Sequence, residues 1–151
     1  TTRIELAAAQ LRDSKLGDAE ATVNEAVAFD TLFFNPEALS LRGIILQHRG
    51  KTAEATESFH RALKQAEVVL KRTPRYYRGL EVMGLSYSGL MLSEETDEYL
   101  DRAIGAYEAA HYIANEPGIV RRRLLLFDAL AQTDSEKNLT SVRDAITSPA
   151  S

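Results

Sequence analysis

The stretch "RGKT", Arg49 to Thr52, has the residue types of a phosphate-binding loop: a glycine that admits close approach, a lysine for charge and a hydroxyl for magnesium. That chemistry needs a further glycine at position 45, between a strand and a helix, so that successive N–H groups wrap the phosphate. Position 45 is Ile45, and the nearest upstream glycine, Gly43, is out of register. The flanking "ALSLRGIILQHR" has helical periodicity. "RGKT" therefore reads as a turn between two helices, with Thr52 as N-cap and Ala55 entering the core.

The other reactive residue types assemble no more readily. His48, His60 and His111 share no i, i+4 spacing, and no HExxH-type pattern occurs, so no metal site is expected. Glu54, Glu57, Glu94, Glu95, Asp97 and Glu98 cluster near turns and early in helices, where the helix dipole favours negative charge. No catalytic or cofactor-binding residues are assigned, and the chain is not expected to be an enzyme. "KRTPRYYRG", Lys71 to Gly79, interleaves bases and aromatics as a nucleic-acid contact would. Lys71 and Arg72 equally suit a helix C-terminus, and Tyr76 and Tyr77 a seam between helices. With 18 Lys plus Arg against 22 Asp plus Glu and a net charge of −4, nucleic acid is not the expected partner. The arginines of "VRRRLLLF", Val120 to Phe127, fan around a helix and read as solvated charge.

The elements that carry these residues are helical. The apolar set Leu39 and Leu46, then Ala55, Phe59, Ala62, Leu63 and Ala66, recurs at three and four, and few stretches alternate as a strand would. The patterning predicts eight helices, at about 2–15, 18–32, 36–49, 52–72, 75–92, 96–115, 118–132 and 136–147, with Pro36, Pro74 and Pro117 opening first helices of successive pairs. These form one all-α domain over 1–151, its pairs at about 2–32, 36–72, 75–115 and 118–147. No run of 18 apolar residues could span a membrane and no secretory leader is visible, so a cytoplasmic location is expected; the lack of cysteine excludes disulfides and thiolate metal ligands but says little about compartment. The absent initiator Met and the ending "TSPAS" suggest a piece of a larger protein.

Gly43 in "LRGIIL" and Gly84 in "VMGLSY" lie 41 residues apart, each inside a first helix. A glycine there costs about 1 kcal/mol against alanine, so close approach of a neighbouring helix is expected to compensate. Leu39, Gly43, Leu46, Gly50, Ala55, Phe59 and Ala62 together resemble the tetratricopeptide repeat pattern, and Gly84, Tyr87, Ala103, Tyr107 and Ala110 repeat it with seven extra residues, close to two helical turns. In the first pair Gly17, Ala19, Val23 and Ala26 echo it; the fourth keeps only apolar spacing. The resemblance implies a right-handed superhelical stack of helix pairs, an α-solenoid. It is also similar to the sensor arms of large bacterial signalling ATPases.

The same resemblance implies a non-catalytic protein-interaction module that holds a peptide or helix of a partner in a concave groove. Carried over by position, that groove comprises Glu37, Ser40, Ile44, Gln47 and His48 from the second pair. The third pair adds Arg78, Glu81, Leu85 and Ser88, and the fourth Ile119, Arg122 and Leu126. The family subgroup that grips a C-terminal carboxylate has Lys, Asn and Arg where this chain has Ser40, Leu41 and Ile44, so that mode is disfavoured. An apolar and basic floor suits an amphipathic helix or an acidic, apolar peptide. The alternative is a self-association module whose exposed ends pair into a homodimer with no peptide ligand.

Overall fold

The structure, a computed structural model, describes residues 2–29 and 35–147. Among them every regular element is an α-helix: α1 (Arg3–Arg12), α2 (Leu16–Phe29), α3 (Pro36–His48), α4 (Thr52–Arg72), α5 (Tyr77–Glu94), α6 (Asp97–Ile113), α7 (Pro117–Ala131) and α8 (Thr140–Thr147). Several starts are chemically marked. The Thr2, Asn35 and Thr96 side chains accept from the amides of Glu5, Ala38 and Tyr99, and Pro36 and Pro117 occupy the first turns of α3 and α7.

Three expectations from the sequence shift, and one falls outside the described residues. Pro74 lies in the turn before α5, whose helix begins at Tyr77. Thr52 is the first residue of α4 and not its cap; Gly50, at φ +73°, makes the bend. The last helix starts at Thr140, not at 136, because the Asp134 carboxylate accepts from the Leu139 amide at 2.8 Å and Lys137 adopts φ 57°, closing a non-helical turn. The predicted end of the second helix, at 30–32, lies outside the described residues.

Consecutive helices from α1 to α6 pack on one another, α8 packs on α6 and α7, and α7 lies against both α5 and α3. The packing follows from helix faces of contrasting width. The buried residues of α4 are Ala55, Ser58, Phe59, Ala62, Leu63 and Ala66, one stripe at i, i+3, i+4, i+7, i+8 and i+11. By contrast α5 is buried all round from Gly84 to Met91, as its contacts with α3, α4, α6 and α7 require.

A ring-on-glycine contact sets the spacing of these helices. Phe59 is fully buried with its ring against Gly43 of α3 and Gly89 of α5; a Cβ built on Gly43 would stand 2.5 Å from the ring, and one on Gly89 closer still. The arrangement recurs one pair later, where a Cβ on Gly84 would stand 2.6 Å from the buried Tyr107 ring. What approaches these glycines is therefore an aromatic side chain, not a helix backbone.

Gly105 of α6 meets nothing within 4 Å and serves as the internal control. Gly105→Ala should raise stability by up to about 1 kcal/mol through helix propensity. Gly43→Ala gains the same propensity but overpacks the Phe59 ring, at about 1–3 kcal/mol, so a net loss of about 1 kcal/mol is expected. Urea unfolding of both variants checks the opposite signs.

Candidate functional site

One face of every odd-numbered helix contributes to a single groove. Its walls are Ile4, Glu5, Ala8 and Arg12 of α1; Glu37, Ser40, Leu41 and Ile44 of α3; Arg78, Glu81, Val82 and Leu85 of α5; and Arg122, Arg123, Leu125 and Leu126 of α7. The lining of α3 and that of α5 both run i, i+3, i+4, i+7, and the two sets are offset by 41 residues, as Gly43 and Gly84 are. The cavity measures about 290 Å³, at the lower end of the roughly 300–1,000 Å³ typical of ligand pockets. Leu41, Ile44, Val82 and Leu85 are buried and form an apolar floor, while Leu125 is 59% exposed at the rim.

The rim carries charge of both signs. Glu37 Oε2 faces Arg78 Nη1 at 3.8 Å and Arg122 Nη2 at 3.9 Å, both beyond hydrogen-bond reach, and Glu37 Oε1 accepts from the Tyr76 hydroxyl at 3.2 Å. Burial, then the Glu37 charge, raises the Tyr76 pKa. The bond to Tyr77 raises that of Arg78 over the opposing effect of burial, so this guanidinium stays a cation. Arg12 has no ion-pair partner among the described residues.

Below the rim lies a charged pair. Arg123, 2% exposed, donates from Nε to Glu81 Oε2 at 2.6 Å and from Nη2 to the Ala114 carbonyl at 3.1 Å. Burial pushes the Glu81 carboxyl up, and the hydrogen bond and charge of Arg123 pull it part of the way back. Burial likewise holds the nearby Tyr107 hydroxyl well above its ordinary pKa, and that hydroxyl has no hydrogen-bond partner among the described residues. The reading of the three arginines as solvated charge is thus corrected: Arg121 and Arg122 are exposed, but Arg123 is interior. Its place on the stripe Arg123, Phe127 and Leu130, at i, i+4 and i+7, was the available signal.

Of the groove residues expected from sequence, Glu37, Ser40, Ile44, Arg78, Glu81, Leu85, Arg122 and Leu126 line the cavity. Gln47, His48, Ser88 and Ile119 do not. His48 donates Nε2–H to the Ala129 carbonyl at 2.6 Å, joining α3 to α7, and the Ser88 hydroxyl donates to the Gly84 carbonyl at 2.7 Å within α5. Sequence reasoning omitted the whole α1 wall, Ile4, Glu5, Ala8 and Arg12, as well as Leu41, Val82, Arg123 and Leu125. The α1 helix lacks the glycine that marks α3 and α5, so nothing set its register.

Elsewhere the residues with chemical potential are engaged with one another. Lys51 Nζ and Arg49 Nε share the Glu20 carboxylate at 3.0 and 3.3 Å, which ties α2 to the "RGKT" turn. A second, polar hollow between α4, α5 and α6 holds Tyr87 and Tyr99 with ring centroids 5.8 Å apart. Beside it Glu94 accepts from His60 at 2.9 Å and from the Tyr99 hydroxyl at 3.1 Å, and the His60 bond lowers the Glu94 pKa. Among the described residues no group of three or more His, Cys, Asp or Glu is placed to hold a metal, and no helix is long and apolar enough to cross a membrane. Comparison with known proteins finds no matching family model, no similar curated protein and no similar solved structure.

The Arg123–Glu81 pair makes a prediction of its own. Glu81→Ala strands a buried arginine and should cost about 3–5 kcal/mol, whereas Glu81→Leu with Arg123→Leu removes both desolvation costs and should lie within about 1 kcal/mol of the parent. Denaturant unfolding of Glu81→Leu, Arg123→Leu and the double variant closes the cycle, with Glu81→Ala measured beside them.

Proposed function

We propose that this chain is a non-catalytic protein-interaction module of the tetratricopeptide-repeat kind, in which stacked helix pairs present their first helices to a peptide of a partner protein. The observation that carries this reading is the repeated register: equivalent positions of α3 and α5, 41 residues apart, converge with α1 and α7 on one cavity with an apolar floor and a charged rim. A repeated apolar stripe lining one concavity provides area for affinity, and rim charges provide register. The superhelical stack, the cytoplasmic setting and a role as the sensor arm of a larger signalling protein belong to the same proposal.

A display selection from a random peptide library tests this directly. Peptides enriched by the parent chain should lose about tenfold or more in affinity to a Leu125→Glu, Arg122→Glu variant, since both side chains are exposed at the rim and their replacement leaves the core intact. No enrichment, or enriched peptides that bind the variant equally, would overturn the groove reading. Light scattering over a range of concentrations separately tests the homodimer alternative.

A further inference from the structure

We infer that the segment this groove accepts is an acidic, aliphatic peptide, held by an internal Asp or Glu side chain between the rim guanidinium groups. The inference rests on the groove reading above and deepens it. Three observations lead to it. Arg78 and Arg122 share one Glu37 oxygen at 3.8 and 3.9 Å, distances at which neither guanidinium forms a hydrogen bond to it. Arg12, on the α1 wall, has no ion-pair partner among the described residues. Arg123 already holds Glu81, and of the three remaining groove arginines, Arg78 and Arg122 come within 4 Å of a carboxylate only at the shared Glu37, with the charge of Glu81 acting on both from further off.

A guanidinium is planar, permanently charged and fitted to a carboxylate by paired N–H donors. Here such groups stand over Ile44, Val82 and Leu85, a floor that excludes water and strengthens any charge-assisted bond formed at its edge. The ligand side chain that satisfies both surfaces is a carboxylate with aliphatic neighbours. Basic residues occur on the first lining helix, at Arg12, and on the last, at Arg122, so a segment crossing from one to the other offers its acids along its length and not only at a terminus. A cavity of about 290 Å³ takes side chains from such a segment while its backbone stays at the rim.

The test uses arrays of N-acetylated, C-amidated hexapeptides in which a central glutamate is surrounded by all combinations of alanine, valine, leucine and isoleucine. Identical arrays carry glutamine at the centre. A third set has glutamine at the centre and a free C-terminal carboxylate. The fluorescently labelled full chain should be retained about tenfold more strongly by its best glutamate peptides than by their glutamine twins, with the ratio narrowing as salt rises. Arg78→Gln with Arg122→Gln, the first half-buried and the second exposed, should bring that ratio close to one while the circular dichroism spectrum is unchanged. Equal retention of glutamate and glutamine peptides, abolished by Leu125→Glu, would overturn the acidic anchor and leave the groove reading standing. Preference for the free C-terminus would overturn the internal anchor. A glutamate preference that survives the double arginine variant would place the anchor elsewhere, and retention of no peptide at all would overturn both readings.

Discussion

The Phe59 ring between Gly43 and Gly89 is the contact on which the rest of the structure depends. It fixes how closely α3, α4 and α5 approach one another, because a close-packed interior has no slack to absorb even one added methyl group. Those distances in turn fix the separation of Ile44 from Leu85 and of Glu37 from Arg78, which face each other across the groove. The same device, Tyr107 on Gly84, fastens α6 to the other side of α5. Two aromatic rings and three glycines thereby place the central helix, and the lining of the groove follows from its placement.

The second constraint is electrostatic and sits where α7 meets α5. A buried guanidinium needs acceptors, and Arg123, 2% exposed, has them in Glu81 and the Ala114 carbonyl. That requirement orients α7 against α5 and the end of α6, while the hydrogen bond from His48 to Ala129 orients it against α3. Burial raises the Glu81 pKa against the pull of its partner, the sign of a desolvation cost that the pairing only partly offsets. The charges of Arg122 and Arg78 also draw the Glu81 carboxyl down, so the buried pair and the rim arginines are electrostatically coupled.

The helical elements and most of their ends were legible in the sequence because a helix face obeys a short, local period. The stripe of α4 and the 41-residue offset between Gly43 and Gly84 predict a first-helix face on α3 and α5, and the residues Glu37, Ser40, Ile44, Arg78, Glu81 and Leu85 that follow from this offset do line one cavity. Where no such marker exists, register was lost. The α1 wall carries no glycine or aromatic signature, and α8 begins late because the bond between Asp134 and Leu139 competes with helix initiation.

By itself, then, the sequence determined the helical class, the order of the helices and which face of α3 and α5 is turned inward, since each of these depends on neighbours a few residues apart. Only the tertiary structure decided that Gln47, His48 and Ser88 do not line the groove, that α1 completes its wall and that Arg123 is interior while Arg122 is exposed. These outcomes turn on how α7 crosses α3 and α5, a matter of long-range packing and of where a buried charge can find its partner. Glu81, 42 residues away in the chain, is that partner, and no local pattern pairs residues so far apart.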